Sequence, residues 1–229
     1  MDRPMLTPAA ELAASNPTRH PGESAAYRAA RQDLLTAEIE LRRQIEHVAE
    51  MRRALPPGAI LEKDYRFVGE HGEVSLGELF GAHPSLVIYS YMFGPQRQRP
   101  CPMCTAMMAS LEGSIPDILQ RTGIALVARS PIERLREWKA ARGWSHMPIY
   151  SDPSGDYTRD WVSQDDADRP AYNVFRRDGD AIRHFWSEEI SEADPGQDPR
   201  SAIEMSTLWL VQDSLPQGRD PDWRPRLSY

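Results

Sequence analysis

The sequence predicts an α/β protein: a mixed central sheet flanked by helices, with a long helical extension at the N-terminus. Three observations carry this. Leu86-Val87-Ile88-Tyr89-Ser90-Tyr91-Met92 is an apolar and aromatic run without charge, as in a strand covered on both faces. Apolar residues then recur at Met107, Met108, Leu111, Ile115, Ile118 and Leu119, a helical period that predicts a helix reaching Gln120. Further on, strand and helix patterns alternate and end in a hairpin signal, which gives a sheet layered by helices.

The elements follow in order. Residues 1–22 contain Pro, Ala and Ser without a period and read as a flexible tail. Residues 23–55 read as a helical arm. Tyr27, Leu34, Leu41, Val48 and Leu55 fall at seven-residue steps, and Pro56-Pro57-Gly58 ends the pattern. Arg31, Glu38 and Arg52 charge the alternate seam positions, so an amphipathic arm packed on its own domain or on a second copy of the chain is expected. A homodimer through this helix is one such arrangement.

Residues 56–215 read as one domain and 216–229 as a C-terminal tail. Tyr65-Arg66-Phe67-Val68 alternates like a strand. Ser75 and Glu78 have the spacing of a capping box. Ile124 to Ala128 is an apolar strand and Pro131 to Arg142 an amphipathic helix. Met147 to Tyr150 is a short strand, and Asp152-Pro153-Ser154-Gly155 a turn. Asp178-Gly179 between two β-rich runs marks a hairpin. An acidic linker over 188–200 and a closing helix over 201–213 complete the domain.

Composition bounds the function. The chain has 229 residues, 40% hydrophobic and 27% charged, with a formal net charge of −7. That balance disfavours nucleic acid or an anionic membrane as partner. No apolar run approaches the ~20 residues that span a bilayer. The N-terminus lacks an apolar signal core, so a cytoplasmic protein is expected. There are two cysteines. In a reducing compartment such a pair is more often catalytic or metal-binding than structural.

Both lie in Cys101-Pro102-Met103-Cys104 at the predicted helix start. Cys104 precedes Met107 and Met108 by three and four residues and so joins the apolar stripe. Cys101 falls at the N-cap, with Pro102 at the first helical position. The unpaired N–H groups and the positive end of the helix dipole favour a thiolate there. One sulfur attacks and the other resolves, as thiol–disulfide exchange requires. Arg97 and Arg99 raise the local positive potential. A soft Cu(I) site built from Cys101, Cys104, Met103, Met107 and Met108 is an alternative reading of the same residues. Beside it stands a non-catalytic binding module. No cofactor is called for.

A strand leading to a Cys-x-x-Cys helix, with a later hairpin, resembles the thioredoxin fold. Within Arg169-Pro170-Ala171-Tyr172-Asn173-Val174-Phe175, Pro170 resembles the cis-proline of that fold. The resemblance implies that Pro170 sits against the cysteines and helps hold an extended substrate. Over roughly residues 23–220 the chain also resembles an uncharacterised bacterial thioredoxin-like family, domain of unknown function 899. The match runs through Glu62-Lys63-Asp64-Tyr65-Arg66-Phe67, Tyr91-Met92-Phe93-Gly94-Pro95 and Cys101 to Cys104 as far as Pro216-Gln217-Gly218-Arg219. A third resemblance is to peroxiredoxins, in Cys101-Pro102 and in Tyr150-Ser151-Asp152-Pro153-Ser154-Gly155. It implies that Arg169 lies near the reactive sulfur and lowers its pKa. The loop departs from theirs at Pro95 and Gln98, and Pro100 stands where thioredoxin has a tryptophan.

These readings make Cys101, Cys104, Pro170 and Arg169 the candidate catalytic residues of a thiol–disulfide oxidoreductase. Its substrate would be a protein or small-molecule disulfide, and its electrons would come from an unidentified thiol reductant. A peroxiredoxin-like peroxidase acting on a peroxide is the alternative within the same chemistry.

Overall fold

The computed structural model describes residues 6–163, 168–189, 211, 214–215 and 225–227. The chain divides at the Pro56-Pro57 pair into two units, Met1–Pro56 and Pro57–Tyr229. In the first, helix α1 (Ala9–Ser15) packs on helix α2 (Ala25–Arg53). Part of the expected tail is therefore helical. The small side chains of Ala9 and Ala13 are buried, which is how so short a helix gains tertiary support. Ser24 caps α2 by accepting the Tyr27 N–H.

The second unit is built on a seven-stranded sheet in the order β2-β1-β5-β4-β3-β6-β7. The strands are β1 (Arg66–Gly69), β2 (Gly72–Ser75), β3 (Ser85–Ser90), β4 (Gly123–Ala128), β5 (Ile149–Ser151), β6 (Ala171–Asp178) and β7 (Ala181–Ser187). The central β3, β4 and β5 are parallel, whereas β6 runs antiparallel to β3 and β1 to β5. This is a thioredoxin-like α/β fold, a mixed sheet flanked by helices and preceded by the N-terminal helix α2.

The charge-free strand β3 is buried on both faces. Val87 and Tyr89 face a cluster with Cys104, Met108, Leu126, Leu135 and Trp144. Leu86 and Ile88 face Phe67, Tyr157 and Phe175 on the other side. Period-two alternation thus sorts a uniformly apolar run between two cores. Ser75 and Glu78 form the expected capping box at the start of α3 (Leu76–Leu79).

Three local features differ from expectation. The cysteine helix α4 (Pro102–Glu112) stops short of Gln120, and a separate turn α5 (Ile115–Ile118) follows. Pro116 has no N–H to offer the Glu112 carbonyl, so the helix cannot run through it. Strand β2 completes a hairpin with β1 that the polar Gly72-Glu73 start conceals. After the Asp152 turn comes a further helix, α7 (Asp156–Trp161), entered through Gly155 at φ +68°. The buried Asp152 carboxylate accepts both the N–H and the hydroxyl of Thr158 within α7, at 2.9 and 2.7 Å. Helix α6 (Ile132–Ala141) links β4 to β5. The linker and closing helix expected over 188–213 lie outside the described residues, save Glu188, Glu189 and Val211. Among the described residues no helix is long and apolar enough to cross a membrane.

Candidate active site

The site lies where β3 runs into α4. The Tyr91 N–H donates to the Val127 carbonyl at 2.7 Å, which extends the β3–β4 ladder by one bond. The chain then loops out and returns. The Cys101 N–H donates to the Met92 carbonyl at 3.0 Å, so the cysteine is pinned beside the end of β3. Cys101 is the N-cap residue of α4, extended at φ −62° and ψ 126°, and Pro102 occupies the first helical turn.

The two sulfurs have different surroundings. Cys101 is half-buried and Cys104 is buried, and both are free thiols. The Cys101 thiol is pulled down to about 6, chiefly because the Cys104 S–H donates to its sulfur. Backbone N–H groups of Cys104 and Met103 and the charge of Arg97 act in the same direction, against the cost of burial. The N–H contribution is electrostatic. No hydrogen bond of strict capping geometry reaches the side chain, yet the helix N-terminus still faces the sulfur. Cys104 moves the opposite way. Holding its proton toward Cys101, and burial, push its thiol well above the ordinary range. The Tyr89 hydroxyl and the Met92 N–H act against that rise. The arrangement is therefore an acidic, half-exposed sulfur over a buried one that carries the proton.

The loop between Phe93 and Pro100 is held from α6. The Arg134 guanidinium donates to the carbonyls of Arg97 and Gln98, the latter at 2.9 Å, and to the Ser130 hydroxyl at 3.2 Å. It also lies 4.2 Å from the centroid of the Phe93 ring. Arg97 pairs with Asp168, whose carboxyl packs against Gly94. An alanine Cβ at position 94 would meet that carboxyl at 3.3 Å, so the close approach favours glycine.

Two sequence-derived candidates need correction. The described peptide bonds are all trans, including the one before Pro170, and Pro170 is exposed. Trans is the lower-energy form, and Ala171 enters β6 directly by pairing with Ser90. Arg169 is also exposed, and it is the charge of Arg97 that is seen to lower the Cys101 thiol. Asp168, the residue before Arg169, holds Arg97 at the loop. Met108 is 1% exposed within the core cluster and Met107 packs at its margin, so both fill space around Cys104. Sequence reasoning missed Tyr89, Tyr91, Thr105, Arg134 and Asp168. For the tyrosines a signal existed: they alternate along the strand that precedes the cysteines.

A model of a bacterial family of unknown function, DUF899, matches residues 17–229. The chain belongs to that family. No curated protein matches it. Among solved structures, the DUF899 chain is similar to a hypothetical protein from Sinorhizobium meliloti 1021, at 17% identity over 69% of this chain and 82% of that one, TM-score 0.42. It is similar to peroxiredoxin Q from Xanthomonas campestris at 16% identity over 57% and 84%, TM-score 0.43. It is also similar to a secreted Mycobacterium tuberculosis disulfide oxidoreductase at 18% identity over 52% and 80%, TM-score 0.37.

Proposed function

We propose that this DUF899 chain is a thiol–disulfide oxidoreductase working through Cys101 and Cys104. The supporting observation is the opposed character of the two sulfurs. A thiol brought down to about 6 is mostly thiolate at neutral pH, and the thiolate is the nucleophile.

The Cys101 thiolate attacks one sulfur of a substrate disulfide. A mixed disulfide forms and the other substrate sulfur leaves as a thiolate. Cys104 then loses its proton and attacks the Cys101 sulfur, which releases the second substrate thiolate. The substrate gains two electrons, and the protein is left with a Cys101–Cys104 disulfide. An external dithiol reductant returns the two electrons. Tyr89 and the Met92 N–H are placed to stabilise the Cys104 thiolate at the moment it must form.

A peroxidase reading is favoured by one feature, the Arg97 guanidinium beside the loop. There the Cys101 thiolate would attack one peroxide oxygen and break the O–O bond, becoming a sulfenic acid while the other oxygen leaves as water or an alcohol. Condensation with Cys104 would release water and give the same disulfide. The two readings part in one assay. Insulin reduction with dithiothreitol as electron source is expected to exceed the uncatalysed rate and to vanish in Cys101→Ser. Turnover of hydrogen peroxide without insulin reduction would transfer the proposal to the peroxidase. Neither activity, in protein whose thiols titrate freely, would remove both.

A further inference from the structure

A chain of hydrogen bonds runs from half-buried Trp138 through buried Tyr91 and Thr105 to the peptide group of Cys101. The Trp138 indole N–H donates to the Tyr91 hydroxyl at 2.9 Å. The Tyr91 and Thr105 hydroxyls are 2.6 Å apart. The Thr105 hydroxyl reaches the Cys101 carbonyl at 2.8 Å. Tyr91 is 2% exposed and Thr105 1%.

The proton directions are forced. An indole nitrogen only donates and a carbonyl only accepts. Thr105 has one hydroxyl proton, and it goes to the Cys101 carbonyl. Its oxygen must then accept from Tyr91, whose oxygen in turn accepts from Trp138. Every donor hydrogen along the chain points toward Cys101, and bonds aligned in this way polarise one another. The same carbonyl takes the Thr105 N–H at 3.0 Å, while the Cys101 N–H is held by Met92. Both peptide groups flanking the Cys101 Cα are thereby fixed.

We infer that Trp138, Tyr91 and Thr105 are positioning residues that fix the Cys101 carbonyl and so hold its sulfur over the helix N-terminus. A threonine that bonds back one turn is common in helices. Here it is fed by two further donors from other elements, the buried Tyr91 and the half-buried Trp138, and it ends on the nucleophile's own carbonyl. The inference rests on the proposed redox role of Cys101 and adds the residues that make that sulfur acidic.

The test is the pH profile of iodoacetamide alkylation at Cys101 in the full chain, read by peptide mapping. Thr105→Val and Tyr91→Phe are each expected to move the midpoint up by about half to one pH unit, which slows alkylation at pH 6 roughly two- to fivefold. Thr105→Ser, which keeps the hydroxyl, is expected to stay at the wild-type midpoint. A low wild-type midpoint that neither Thr105→Val nor Tyr91→Phe shifts overturns the positioning role and leaves the redox reading standing. A wild-type midpoint in the ordinary thiol range overturns both. If Thr105→Val fails to fold by circular dichroism, Tyr91→Phe alone decides.

Discussion

Arg97 and Arg169 are both loop arginines, but their settings differ. Arg97 is anchored by Asp168 and lends its charge to the sulfur; Arg169 faces solvent. Arg97→Gln is therefore expected to raise the alkylation midpoint of Cys101, by about half a pH unit or less because its charge is the smallest of the named influences and is partly screened by salt. Arg169→Gln is expected to leave the midpoint where it is. Equal shifts in the two variants would return the role to Arg169. The different surroundings of the two cysteines were legible in the sequence because they depend on local facts: a proline after the first, an apolar helical period containing the second. The arginine was not legible. Its identity depends on a carboxylate 71 residues away, and no local pattern encodes that meeting.

At the scale of elements, what could be read was again what is local. The capping box of α3, the apolar β3 and the Asp178-Gly179 hairpin each carry their own signal. Helix α7 was hidden because its entry is a buried Asp152 contact rather than a cap at the expected position. The clamp from α6 was hidden for another reason. Arg134 looks like one more charge on an amphipathic helix until the loop before Cys101 is folded onto it. A sharper case of packing between elements is Gly123, the first residue of β4. A Cβ there would lie 2.6 Å from the Leu79 carbonyl oxygen and 3.1 Å from the Phe80 Cα. Both are backbone atoms at the end of α3 and cannot swing aside. Gly123→Ala is expected to lower stability by about 2 kcal/mol or more, seen as a lower urea midpoint with an unchanged slope. A midpoint equal to that of the wild type would mean that α3 is free to shift against the sheet.

Across the whole molecule, the site is gathered from the ends of neighbouring strands. Cys101 follows β3, Arg134 follows β4 and Asp168 precedes β6, which runs antiparallel to β3. The acidity of Cys101 needs Cys104 and the first turn of α4 held beside it, with Arg97 adding a smaller part, and it is lost when the chain unfolds. At pH 6.5 the change from a thiol near 6 to an ordinary one near 8.5 cuts the thiolate fraction of Cys101 roughly 70-fold on unfolding. The higher intrinsic reactivity of the more basic thiolate restores about tenfold of that. Iodoacetamide should therefore label Cys101 severalfold more slowly in concentrated urea than in buffer, although urea strips away all its cover. Faster labelling in urea would mean that the native sulfur is shielded rather than activated. A fully unfolded copy would accordingly carry a cysteine that reacts severalfold more slowly. The rate at which a thiol reagent finds Cys101 would then report how much of a sample has finished folding, and the sulfur would serve as its own certificate of assembly.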